Sequence, residues 1–170
     1  AAARVLAPLG ELVVAAPREQ QTSAGRSLPV TTDGRIERVK IGLPPSGEEM
    51  DAYAVGGTPA QSVLHAVLEI LPQKPDLLVS GINFGENIGT SITISGTVGA
   101  ALEGAALGIP ALAVSLETDL KHHYAISDAV DFSAAAHFTT FFGRILLEKR
   151  MPADVHVLKV DVPCNATPDT

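Results

Sequence analysis

The stretch "LLVSGINFGENIGTSITISGTVGAALEGAALGIPALAVSL", residues 77–116, passes from an apolar run through a loop of Gly, Asn, Ser and Thr into a helix of small residues, and then into a second apolar run. Residues 75–81, "PDLLVSG", are almost continuously apolar, the pattern of a strand buried on both faces. Residues 96–108 read as a helix ended by Gly108, and residues 110–116 as the next strand. Strand, helix, strand is the unit from which parallel sheets are built. In such sheets ligands lie outside the carboxyl ends of the strands, where the polar loop falls.

The loop has matching chemistry. Gly81, Gly85 and Gly89 permit close backbone approach. Asn83 and Asn87 carry amide oxygens, neutral hard ligands suited to Mg²⁺, Mn²⁺ or Ca²⁺. Ser95, Gly96 and Thr97 open the helix, where free N–H groups and the positive dipole end favour an anion. The competing reading is a strand–loop–helix turn whose polar groups only cap the helix. The spacing is neither a Walker A loop nor a dinucleotide fingerprint.

Working outward, "ELVVAAP" (11–17) reads as a strand and residues 18–27 as a polar loop at its carboxyl end. Asp33-Gly34 predicts a hairpin turn within 28–42, followed by a loop and a short strand before Gly56. Thr58 and Pro59 open a helix as N-cap and first residue. A loop containing His122 and His123, a helix over 128–148 and a strand over 154–163 complete the order. The expectation is an α/β, Rossmann-like three-layer fold with a largely parallel sheet and helices on both faces. The 18–27 and 81–89 loops share one crevice if their strands are neighbours.

The chain has 170 residues, of which 46% are hydrophobic and 18% charged, enough for one domain with a core. Its net charge of −7 argues against a nucleic-acid polymer as partner, but not against a small phosphate ligand. Cys164 stands alone, so no intrachain disulfide forms, which suits a reducing, cytoplasmic setting. No run approaches the roughly 18 apolar residues of a membrane span. "AAARVLAPLG" reads as a helix already under way, and "CNATPDT" follows a strand with no closing element, so a piece of a longer polypeptide is expected.

"PDLLVSGINFGENIG", "SGTVGAALEGAALGIPALAVS", "GGTPA" and "VVAAPREQQTSAGRSL" occur in the order and spacing of the stationary-phase survival protein SurE family, which the chain resembles over most of residues 1–165. The resemblance implies a metal-dependent 5′-nucleotidase or acid phosphatase acting on nucleoside monophosphates. It implies a divalent metal, Mg²⁺ or Mn²⁺, held by an Asp pair after a first strand, by a hydroxyl in the 18–27 loop and by the Asn of Gly-Ile-Asn. The last is Asn83; counting from Pro17 puts the hydroxyl at Thr22, with Ser23 beside it. Catalysis falls to Asn83, Ser95 and Thr97, and phosphate binding to Gly81, Gly85, Asn87, Ser95, Gly96 and Thr97. The Asp pair has no counterpart in this chain and is expected before Ala1. Segments for dimer or tetramer contacts are expected after Thr170. The chain is then a single SurE-like domain lacking both, and inactive alone. The alternatives are a non-catalytic nucleotide- or phosphate-binding domain and a nicotinamide-dependent reductase.

Other residues receive plainer readings. Arg18 and Glu19 flank the Thr22 loop, and Arg26 either attracts the anion or is a surface cation. Thr58 is a cap near the crevice. Gln61 stands where the family often has an acidic residue. His65, His137 and His156 are non-ligand histidines, Glu48-Glu49 a solvated loop pair and Cys164 a bystander.

Overall fold

The structure, a computed structural model, describes residues 1–43, 47–118, 130–149 and 151–170; His122 and His123 lie outside them. The strands are β1 (Val14–Pro17), β2 (Ile36–Leu43), β3 (Glu48–Val55), β4 (Leu78–Phe84), β5 (Ala111–Leu116) and β6 (Val157–Val162). The helices are α1 (Ala2–Leu6), α2 (Pro59–His65), α3 (Gly96–Ala106) and α4 (Ser133–Glu148). They form two three-stranded sheets flanked by helices, one mixed in the order β1-β3-β2 and one parallel in the order β4-β5-β6.

The second sheet is parallel throughout. Its middle strand, β5, is buried at every residue. Alternation sorts its side chains into two layers. Leu112, Val114 and Leu116 pack with Ala134, Ala135 and Leu146 of α4. Ala111 and Ala113 pack with Val98 and Ala101 of α3. Small residues let α3 sit close: a methyl group at Gly104 would lie 2.7 Å from the Leu78 side chain. The Gly108 N–H reaches the Ala105 carbonyl and the Ile109 N–H the Gly104 carbonyl, a Schellman ending with Gly108 at φ 72°.

The first sheet differs from expectation. Asp33-Gly34 does not turn a hairpin. The antiparallel pair is β2 with β3, one segment later, and Glu48 and Glu49 open a strand rather than lie in a loop. Asp33 instead forms a local turn, its Oδ1 accepting the Arg35 N–H at 3.1 Å, while the Gly34 N–H goes to the Gly56 carbonyl at 3.0 Å. A turn signal specifies a bend; which strands then pair depends on the apolar partners available.

Helix α2 begins as expected. Thr58 Oγ1 accepts the Gln61 N–H, and Gln61 Oε1 accepts the Thr58 N–H, a capping box. Helix α4 begins at Ser133, later than residue 128, and the Asp131 carboxylate accepts both the Ser133 N–H and its hydroxyl.

Candidate functional site

Three strand ends, from β4, β5 and β6, carry polar residues in register: Asn83 lies beside Ser115, and Ser115 beside Asp161. Asn83 was expected in a loop after residue 81. It belongs instead to β4, which continues past an irregularity between Ser80 and Asn83. Gly81 permits this: at φ 122°, a methyl group there would lie 2.3 Å from the Val114 carbonyl oxygen.

Asn87 joins this row to the start of α3. Its Oδ1 accepts the Ser95 hydroxyl at 2.5 Å and the Ser115 hydroxyl at 3.2 Å. Its backbone N–H donates to Asp161 Oδ1 at 2.9 Å, and its Nδ2 to the Glu86 carbonyl at 3.1 Å. Ser95 is the N-cap of α3, its Oγ accepting the Val98 N–H at 3.2 Å. Its one hydroxyl proton is therefore directed at Asn87. The Gly96 and Thr97 N–H groups fall in the first helical turn, where no intrahelical acceptor exists.

The 18–27 loop is fastened to the same helix. The Gly25 N–H donates to the Ile94 carbonyl at 2.9 Å. A methyl group at Gly99 would fall 2.1 Å from the Gly25 carbonyl oxygen, and one at Gly96 3.5 Å from that of Gln21. Arg26 Nε donates to Glu103 Oε2 at 2.7 Å, and Glu103 is almost fully buried, so Arg26 anchors the loop. Thr58 Oγ1 donates to the Ser27 carbonyl at 2.7 Å, and Gln61 Nε2 to the Pro29 carbonyl at 2.8 Å. Thr58 thus holds the end of the loop, and Gln61 the segment just after it, as well as capping α2. Within the loop, Thr22 Oγ1 accepts the Gln20 amide at 3.2 Å. Arg18 is turned away, paired with Asp33 and Glu37.

Asn83 and Thr22 fit a hard cation as neutral oxygen donors. Asn83 Nδ2 donates to the Phe84 carbonyl at 3.0 Å and to the Gly85 carbonyl at 2.7 Å, which turns Oδ1 away from both. No hydrogen bond links Thr22 to Asn83 among the described residues. Nor do these residues group three acidic, His or Cys side chains as a metal site. The donor set among the described residues is therefore incomplete for a divalent ion.

Beside it lies a cleft of about 1210 Å³, lined by Val14–Pro17 of β1, Leu78–Ile82 of β4, and Thr97 of α3. The other histidines serve elsewhere: His65 pairs with Glu69, His137 packs edge-on to Phe138, and His156 is exposed. Reading the sequence missed Ser115 and Asp161. The available signal was a polar residue near the carboxyl end of each strand, Ser115 in "PALAVSL" and Asp161 in "VLKVDVP".

A family model described as "Survival protein SurE" matches residues 1–170. The 5′-nucleotidase SurE of Thermococcus kodakarensis is 42% identical over 170 residues, covering 100% of this chain and 63% of the relative. That of Methanothermobacter thermautotrophicus is 40% identical over 173 residues, covering 99% and 64%. The crystal structure of the SurE protein from Aquifex aeolicus matches with a TM-score of 0.72 and 31% identity, over 98% of this chain and 62% of that one. The chain thus spans a little under two thirds of the relatives it matches. On its sequence, its fold and the full-length family match, the chain belongs to the survival protein SurE family.

Proposed function

We propose that the complete protein is a divalent-metal-dependent phosphomonoesterase that hydrolyses nucleoside 5′-monophosphates to nucleoside and phosphate. The observation that carries this reading is the Ser95–Asn87 hydrogen bond, which ties a side-chain amide to the open N-terminus of α3, in a family whose curated relatives bear the name 5′-nucleotidase. The Gly96 and Thr97 N–H groups bind phosphate oxygens there, aided by the helix dipole. Asn87 adds an Nδ2 donor, and Ser95 fixes its direction. Gly81 and Gly85 keep the β4 backbone close to the phosphate.

Asn83 Oδ1 and Thr22 Oγ1 would hold the metal, Mg²⁺ or Mn²⁺, together with the Asp pair that the family resemblance places outside this sequence. Bound there, the ion supplies Lewis-acid polarisation of a phosphoryl oxygen. The cleft between β1 and β4 supports this arrangement. Both strands run parallel to their own neighbours and line it with their edges, so a further strand between them would end beside Pro17 and Phe84. We read the chain as one SurE-like domain of a longer cytoplasmic protein that assembles as a homodimer or homotetramer, and as inactive without its acidic ligands.

The neutral donor set within the chain favours a second reading, a nucleotide- or phosphate-binding domain without catalysis. Phosphate release from a panel of nucleoside monophosphates by the full-length protein, with Mg²⁺, with Mn²⁺ and with chelator, separates the two. Release with metal and none with chelator is expected. A folded protein that binds nucleotide but releases nothing with either metal establishes the second reading.

A further inference from the structure

Asn87 is held by atoms far from it in sequence. An amide oxygen has two acceptor positions and its nitrogen two N–H donors. Both oxygen positions of Asn87 are filled, by Ser95 and Ser115. Because the Ser95 oxygen already accepts from Val98, the Ser95 proton points to Asn87 and fixes which end of the amide faces inward. One Nδ2 proton goes to the Glu86 carbonyl, and the other has no hydrogen-bond acceptor among the described residues. The backbone of Asn87 is held separately by Asp161, 74 residues away in sequence. A carboxylate beside a phosphate site would ordinarily repel the anion. Here Lys159, two residues earlier on the same strand face, forms an ion pair with Asp161. The pair is mostly buried, with side-chain exposures of 17% and 26%.

We propose that Asp161, balanced by Lys159 and aided by Ser115, is a positioning residue that holds the 85–95 loop so that Asn87 presents its free Nδ2 proton to the phosphate. This rests on the phosphatase reading above, since the phosphate contact belongs to it. Asp161 touches no substrate and acts only through Asn87.

The test uses the full-length protein, inorganic phosphate as a binding probe and nucleoside monophosphate turnover. Asp161→Ala should weaken phosphate binding and raise KM together by about 10-fold, with kcat changed less than about 3-fold, the scale of one lost charge-assisted hydrogen bond. Asp161→Asn keeps an acceptor and should recover most of the loss. Ser115→Ala should produce a smaller change in the same direction. Unchanged phosphate affinity and KM in Asp161→Ala would overturn the proposal. Amide hydrogen exchange of the wild-type protein keeps the test independent of folding by the variant. The Asn87 N–H should exchange slowly despite lying in a loop, and rapid exchange there overturns the proposal. If the wild type binds phosphate but never hydrolyses a monophosphate, the phosphatase reading fails, while phosphate affinity and exchange still decide the role of Asp161.

Discussion

The two three-stranded sheets solve different problems. In β4-β5-β6 every pairing is parallel, the middle strand is buried throughout, and a polar row of Asn83, Ser115 and Asp161 crosses the carboxyl ends. In β1-β3-β2 an antiparallel hairpin puts β2 largely in solvent, where Arg38 and Lys40 both pair with Asp51. The first sheet contributes one candidate loop, 18–27; Arg18 at its start stays bonded to β3 and β2, while Gly25, Arg26 and Ser27 at its end are held by the α3 and α2 segments. Candidate site geometry is therefore referenced to the second sheet. A side chain in a dry, close-packed layer has few alternative positions, whereas an exposed strand yields to solvent.

Substitutions can break this contrast at several depths. The largest effect is expected from Asn83→Ala in the full-length protein. Metal-dependent turnover should fall by about two orders of magnitude or more with the fold intact, because the proposed metal donor is lost while no core atom is removed. Steady-state kinetics with circular dichroism checks it, and near-normal kcat would remove Asn83 from the metal site.

Next come paired core and surface truncations. Leu112→Ala in β5 should cost about 2–5 kcal/mol, the range for deleting a buried Leu side chain. Val39→Ala in exposed β2 should stay within about 0.5 kcal/mol. Urea midpoints measure both, and equal losses would erase the distinction between the sheets.

A glycine pair sharpens the comparison. Gly99→Ala drives a methyl group against the Gly25 carbonyl, whereas Gly42→Ala meets nothing within 4 Å. The first should lose about 1–3 kcal/mol by overpacking and also raise KM by displacing the Thr22 loop. The second should leave KM unchanged. A Gly99→Ala protein with wild-type Tm and KM would show that the loop is not fastened to α3.

The smallest effect is in acid. Asp131 is held below the ordinary aspartate range by hydrogen bonds from the Ser133 N–H and then its hydroxyl. Asp33 is lowered by the Arg35 N–H and then by Arg18. A carboxylate whose folded pKa is depressed contributes stability above its unfolded pKa and loses it as pH falls through the folded value. Both contributions should therefore be intact at neutral pH and fade only below the usual aspartate titration. NMR titration of the two carboxyl carbons checks the direction, and ordinary midpoints would contradict the hydrogen bonds.

Much of this molecule was legible beforehand where one segment carries its own signal. The buried strand at 110–116, the α3 helix with its Gly108 ending and the Thr58 cap each depend on residues within a few positions of one another. The Asp33-Gly34 hairpin misread a local bend as a pairing. Ending β4 at Gly81 placed Asn83 in a loop, although Gly81 lets the strand run on past the Val114 carbonyl.

The sequence alone determined the parallel α/β order, the family and the polar loop set at a strand end, because periodicity, capping and motif spacing are properties of neighbouring residues. Only the tertiary structure decided that Arg26 binds Glu103 instead of an anion, that Gln61 secures Pro29 just beyond the 18–27 loop, and that Asn87 is gripped by Ser115 and Asp161. Those contacts join residues 28–77 positions apart. They form when strands fall into register and α3 closes on the sheet, a geometry that no local pattern encodes.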